Sequence, residues 1–454
     1  MISNHDESSV FPSSSGSRNI AGYLVALKRI FDRVKKSRFG WNAFILIRAN
    51  FFAQLLALLA TPVMTRLFRP EHFGIAGLFL VYAAGFSAMA SWRFEWSVPS
   101  AASEDDARDL IVLSLLLSFI LAILFYILLI IPGTEKFLAA IGIGGFSFIG
   151  LLPLLSFATI AAAVLTSVFV RARAMEVTSR AKYTQSGAQL VSSLGAGFLS
   201  MGAFGLVLSN VISASVGMVT MIRGVPFRLV PKPNELPGLL STARRYLREA
   251  STSTIVSVVN FAFGNCLPLL LTLGYSVREV GYYFVAMRLA SGPAALLASG
   301  ISASFWGEAA LLAASDPVSL RRMYLKVIST LALFSIPIVM AGLSAPFFLS
   351  TLLGGAEWSE IGFVVIACLP YIVGTFVFSS TNHLIVYGRQ EYQLFSDLIA
   401  VAGSLILLWV AVVFGWSFTL AIAGMSGVTL LAYLIRFAFH LKANNEAIRA
   451  VATV

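Results

Sequence analysis

The sequence predicts an all-α, polytopic integral membrane protein of about twelve transmembrane helices arranged as two six-helix lobes in a parallel repeat. Three observations predict it: scarcity of charge, a series of long apolar runs, and a lopsided placement of basic residues. Only 12% of the 454 residues are charged and 58% are hydrophobic, whereas a soluble domain carries about 25% charged residues. Each apolar run is close to the length at which a helix crosses hydrocarbon with its backbone groups satisfied internally.

The chain opens with a polar tail, 1–43. Met1 to Ser17 lacks the apolar core of a secretory leader, so the first apolar run is expected to serve as its own targeting signal. Residues 21–38 set Leu24, Leu27, Phe31 and Val34 on one helical face and Lys28, Arg29, Arg33, Lys35 and Lys36 around the other. That pattern suits a basic amphipathic helix lying in an anionic membrane interface.

The first lobe is expected over 44–222, with spans at 44–67, 74–96, 110–132, 148–170, 184–200 and 203–222. The fifth is short. A connector follows over 223–249, stiffened by Pro226, Pro231, Pro233 and Pro237 and ending in a short basic helix with Arg244, Arg245 and Arg248. The second lobe occupies 250–440, with spans at 250–273, 280–306, 323–345, 361–383, 393–414 and 417–439, and a tail at 441–454. Two traces of a repeat join the halves. Leu152-Pro153 precedes Arg171 as Leu369-Pro370 precedes Gly388, both at an offset of 217, and Phe73-Gly74 opens the second span as Val280-Gly281 opens the eighth.

With the amino terminus inside, 25 of the 32 Lys and Arg residues fall on the cytoplasmic side and only Arg66, Arg69, Lys136 and Arg278 on the other. This fits the positive-inside rule for an even number of spans and places both termini in the cytoplasm. Topology accounts for the net charge of +11, and no nucleic-acid partner is needed. The two cysteines, Cys266 and Cys368, sit in apolar runs and read as packing residues. No cofactor or metal motif is visible.

The remaining basic residues, Arg48, Arg93 and Arg288, lie within the runs, and an ionisable group inside a span marks a functional site by default. Arg288 is about eight residues into the eighth span, roughly 12 Å along its axis. It reads as a cavity cation for an anionic head group, against a structural role on a helix-end carbonyl or on Glu308. For Arg48, snorkelling to the interface competes with a substrate role. Arg93 and Glu95 stand between Trp92 and Trp96, where a local ion pair in an interfacial belt competes with substrate binding. Gln54, Asn260, Asn265, Asn382 and His383 are uncharged candidates, for which an interhelical hydrogen bond is the competing role. Gln54 and Asn260 complete the expected substrate-binding set with the three arginines. Asp397 reads only as a residue favouring the positive end of a helix dipole.

Thr65-Arg66-Leu67-Phe68-Arg69-Pro70-Glu71-His72-Phe73-Gly74, then Arg93-Phe94-Glu95 and the acidic Glu104-Asp105-Asp106-Ala107, resemble the Wzx-like polysaccharide-unit flippases of the multidrug/oligosaccharidyl-lipid/polysaccharide exporter superfamily. The similarity extends loosely across all twelve helices. Tyr282-Tyr283 with Ala286-Met287-Arg288-Leu289 and Pro293 is also similar to the lipid II flippases, whose eighth-helix arginine lies in a cationic cavity. The resemblance implies a multi-pass protein of the bacterial inner membrane. It would carry an undecaprenyl-pyrophosphate-linked oligosaccharide outward for exopolysaccharide, capsule or O-antigen (lipopolysaccharide) synthesis, working beside a polysaccharide polymerase and a chain-length regulator.

The alternative is an ion-coupled multidrug exporter of the same superfamily. A cation exporter needs carboxylates in the lobe interior, yet the first and seventh spans contain no Asp or Glu. A membrane enzyme is the third class, and the short outer loops leave no room for an acid–base constellation.

Overall fold

The computed structural model describes residues 38–131, 133–134, 148–225, 227, 236–378, 384, 387 and 389–452. Among them are twelve long helices and no strand: α1 Arg38–Leu67, α2 Pro70–Ala90, α3 Glu104–Ile130, α4 Leu151–Arg171, α5 Met175–Phe198, α6 Gly202–Ile222, α7 Leu236–Leu271, α8 Val277–Ser315, α9 Pro317–Leu353, α10 Ile361–Phe378, α11 Gln390–Val413 and α12 Phe418–Ala452. Each expected span has its helix. The basic segment 21–38 lies, but for its last residue, outside the described residues, as do Asn382, His383 and the side chains of Cys266 and Glu308.

Local chemistry sets the helix starts. Pro70 opens α2 and Pro317 opens α9, where a missing N–H costs nothing. Ser103 caps α3 by accepting from the Asp106 N–H, and Glu104, Asp105 and Asp106 follow in the dipole-favoured first turn. Ser276 and Glu279 form a reciprocal cap on α8.

Several helices run beyond the expected spans, among them α8 to Ser315, α9 over Pro317–Leu353 and α12 to Ala452, and three further differences bear on the candidate residues. The second span stops at Ala90, because Trp92 and Arg93 adopt left-handed backbone (φ 51° and 53°) before a 3-10 turn at Phe94–Trp96. Arg93 is therefore in a turn and not in a span. The fifth helix begins at Met175 instead of 184, since its polar first half carries no apolar signal. The basic helix containing Arg244, Arg245 and Arg248 is continuous with the seventh span, as α7.

Helices α1 to α6 pack into one lobe and α8 to α12 into the other. Helix α7 packs on α11 of its own lobe and on α2 and α3 of the first, and α2 lies along α8 at the centre of the molecule. The surface is what a bilayer requires: Phe347, Leu333 and Trp409 are 87%, 66% and 66% exposed on helices built for hydrocarbon. Nine of the described helical segments are long and apolar enough to cross a membrane. Those that fall short, α5, α7 and α8, line internal cavities.

The α2–α8 crossing depends on two glycines, the pair noticed as a repeat trace. A Cβ on Gly74 would overlap the Val277 carbonyl, and a Cβ on Gly281 would overlap the Pro70 carbonyl. Each glycine thus meets the carbonyl four residues before the other, the reciprocal contact expected where repeats meet across a two-fold axis. Because the obstacle is backbone and cannot swing aside, Gly281→Ala is expected to cost about 1–3 kcal/mol of stability. A melting curve of detergent-purified protein measures this, and an unchanged midpoint would show that the crossing has room to spare.

Candidate functional site

A cavity of about 710 Å³ lies between the lobes, walled by α1, α2, α5 and α6 and closed by α8. Its polar groups are Asn50 and Gln54 from α1, Lys182, Gln185, Ser186, Gln189 and Ser193 from α5, Asn210 and Ser213 from α6, and Arg288 from α8. Among the described residues, its lining contains two cations and no Asp or Glu.

Arg288 is half-buried, and its Nη2 donates to the Ala57 carbonyl of α1 at 3.2 Å. That carbonyl also accepts from the Thr61 hydroxyl at 2.7 Å, one turn along α1 beside the interior Pro62. Among the described residues no carboxylate pairs with Arg288, so its positive charge remains available to the cavity. Gln54 packs tightly against α8, where a Cβ on Gly292 would overlap its amide nitrogen.

One end of the molecule is sealed. Trp358, fully buried, donates from Nε1 to the Thr65 carbonyl at 2.9 Å and stands edge-on to Phe73 and Tyr282. The Tyr282 hydroxyl donates to the Glu357 carbonyl, and Arg278 lies 3.2 Å from Glu357 and 3.7 Å from Glu71. With the Gly74–Gly281 crossing, these contacts join the first lobe to the second beyond Met64 and Phe73, the last lining residues at that end.

At the opposite end the acidic start of α3 meets the basic start of α7. Arg245 bonds both oxygens of Asp106, Thr242 donates to Asp109 at 3.0 Å, and Trp92 donates to Ser251 at 3.0 Å. Arg171 at the end of α4 holds the preceding loop through the carbonyls of Val98 and Ala101 and the Glu104 carboxylate. The contacts of Arg245, Thr242 and Ser251 tie the two halves of the chain, with Asp106 and Thr242 buried and Arg245 largely exposed, whereas those of Arg171 stay within the first lobe.

A second cavity, about 220 Å³, lies within the second lobe, lined by Asn260 and Gly264 of α7, Tyr283 of α8, Tyr371 of α10, Gln393, Asp397 and Ser404 of α11, and Tyr433 and Arg436 of α12. Arg436, only 6% exposed, is ion-paired with Asp397, donates from Nε to Ser396 at 2.8 Å and lies over the Tyr433 ring.

The predicted residues therefore separate. Arg288 and Gln54 share the interlobe cavity. Asn260 lines the other one. Arg48 is exposed, and its Nε donates to the Tyr183 hydroxyl at 3.2 Å. Arg93 is off both cavities, with Nε on the Ala88 carbonyl and Nη1 on Glu95 at 3.2 Å, and stacks on Trp96. Asn265 bonds its own helix at the Phe261 carbonyl. Two cations escaped sequence reading. Lys182 and Arg436 were counted among the charges that set topology, because each lies near the edge of an apolar run, and both line cavities. Asp397, read as a helix-dipole residue, is the partner of Arg436. Among the described residues no cluster of metal ligands is present.

Several solved structures share this architecture. The lipid II flippase MurJ in an inward closed conformation aligns with a TM-score of 0.62 at 16% identity, over 89% of this chain and 90% of that one. A MOP superfamily transporter from Pyrococcus furiosus, described for the reverse polarity of its binding pocket, aligns at 0.53 and 16% identity, over 89% and 94% of the two chains. The eukaryotic MATE transporter AtDTX14 aligns at 0.53 and 14% identity, over 93% and 99%. At such identities the likeness establishes the fold: two lobes of six helices, as expected. No curated protein matches the sequence. A family model described as "Polysaccharide biosynthesis protein" matches residues 63–362, most of both lobes. A multi-pass membrane protein with this fold and this match belongs to the polysaccharide biosynthesis protein family.

Proposed function

We propose that the protein is a flippase that moves an undecaprenyl-pyrophosphate-linked oligosaccharide from the cytoplasmic to the outer leaflet of the bacterial inner membrane, for assembly of a surface polysaccharide. The observation that carries this reading is the interlobe cavity with Lys182 and Arg288 and, among the described residues, no acidic residue in its lining. A pyrophosphate carries two or more negative charges and cannot cross hydrocarbon bare, whereas a cation held inside the bundle offsets much of that cost. The polyprenyl chain stays in lipid while the head group occupies the cavity. Rocking of the first lobe against the second exchanges access between the two faces. Both termini lie in the cytoplasm. The sealed end then faces outward, and the product passes there to a polymerase and a chain-length regulator.

The same cavity disfavours the ion-coupled drug exporter, because two cations without a carboxylate repel a cationic drug. Deleting the gene discriminates the two. Loss of one surface glycan, with its undecaprenyl-linked units accumulating at the cytoplasmic face, is expected. An unchanged glycan with new sensitivity to cationic drugs would overturn the flippase reading.

A further inference from the structure

A sugar carries many hydroxyls, each both donor and acceptor, and a protein reads it with side chains that also do both. The interlobe cavity presents five such amides: Asn50 and Gln54 on α1, Gln185 and Gln189 on α5, and Asn210 on α6. Buried amides in a membrane bundle ordinarily bond to a neighbouring helix, since an unmet amide in hydrocarbon is costly. These do not. Among the described residues, none of the five side-chain amides makes a hydrogen bond to protein, although serines on the same wall are satisfied: Ser193 by the Gln189 carbonyl and Ser213 by the Gln185 carbonyl. Five unpaired amides around one void are therefore held for water and cargo.

Their placement divides the cavity by chemistry. On α5, Lys182, Gln185 and Gln189 follow at helical spacing on one face, so Gln189 stands about 10 Å along the axis from Lys182. The cations come from α5 and α8, whereas every amide is on α1, α5 or α6 of the first lobe. An amide distinguishes neither phosphate nor charge strongly, but it discriminates the position and orientation of hydroxyls through paired donor and acceptor.

Resting on the flippase reading, we propose that the amide wall of the first lobe is the glycan-reading subsite, with Gln185 and Gln189 of α5 as the pair that sets cargo selectivity. The pyrophosphate engages Arg288 and Lys182 and would be common to all cargoes.

The test uses purified full-length protein in nanodiscs, with two probes: bare undecaprenyl pyrophosphate, and the same lipid bearing the oligosaccharide isolated from the producing strain. Wild-type protein is expected to bind the glycan-bearing lipid about tenfold more tightly, the scale of a pair of neutral hydrogen-bonding groups. In Gln185→Leu/Gln189→Leu, apolar changes of similar volume that suit a span, the ratio of the two affinities is expected to fall to about one. A ratio kept at its wild-type value would overturn the proposal and leave the flippase reading in place. Failure of wild-type protein to bind either lipid would sink the flippase reading and this one with it. The single variants, each checked by its melting midpoint, guard against a fold defect. A selectivity ratio unmoved in both singles at normal stability also counts against the pair.

Discussion

Replacing Arg288 with alanine is expected to reduce translocation by at least about 10-fold to 100-fold, the range for losing one or two charge-assisted hydrogen bonds to the cargo. Abundance in the membrane should remain normal. The Ala57 carbonyl that Arg288 bonds keeps the Thr61 hydroxyl as a donor, so its loss strands no acceptor. Among the described residues no carboxylate depends on Arg288 for charge balance, which distinguishes it from an arginine serving only to neutralise an acid. Arg288→Lys should retain part of the activity, because a point charge still attracts a pyrophosphate while the planar fork that grips two oxygens is gone. Lipid-linked oligosaccharide and surface glycan, measured against the immunoblotted level of each variant, give the answer. Full export by the alanine variant at normal abundance would remove Arg288 from the site and with it the main support for an anionic cargo.

The fold was legible because hydrocarbon imposes a single rule, about twenty apolar residues per span, and this chain obeys it nearly everywhere. Arg288 and Gln54 were legible for the complementary reason: a polar group inside such a run has no cheap location except an interior cavity. Lys182 was not, because its side chain sits where a topology count expects a cytoplasmic charge. Of the residues that hid the start of α5, Met175 to Tyr183, Lys182 is one that builds the cavity wall, and the wall continues into Gln185 and Gln189 on the same face. A weak apolar signal was therefore a sign of function. Arg93 misled in the opposite direction. Trp92 and Trp96 extend the apolar pattern past the true end of α2, and sequence alone does not reveal the left-handed turn that ends it. The seal around Trp358 and Thr65, far apart in sequence, was beyond reach, since no local pattern records which distant indole meets which carbonyl.

Arg436→Met should be the most damaging single change to stability among the charged residues of the second lobe. The Arg436 guanidinium is paired with Asp397, bonded to Ser396 and stacked on Tyr433, and its side chain is 8% exposed. Removing it leaves a carboxylate inside the lobe with its countercharge gone. A broken buried pair costs about 3–5 kcal/mol, and the lower end applies because Asp397 keeps 24% of its side chain accessible to the cavity. Removing both charges strands neither, so Arg436→Met/Asp397→Leu should recover much of the lost stability, as apolar replacements of ion pairs elsewhere do. Melting midpoints of wild type, the two single variants and the double variant form a cycle whose coupling term isolates the pair. Additive losses would show that Arg436 is held by Ser396 and Tyr433 alone, and that Asp397 tolerates its carboxylate without it.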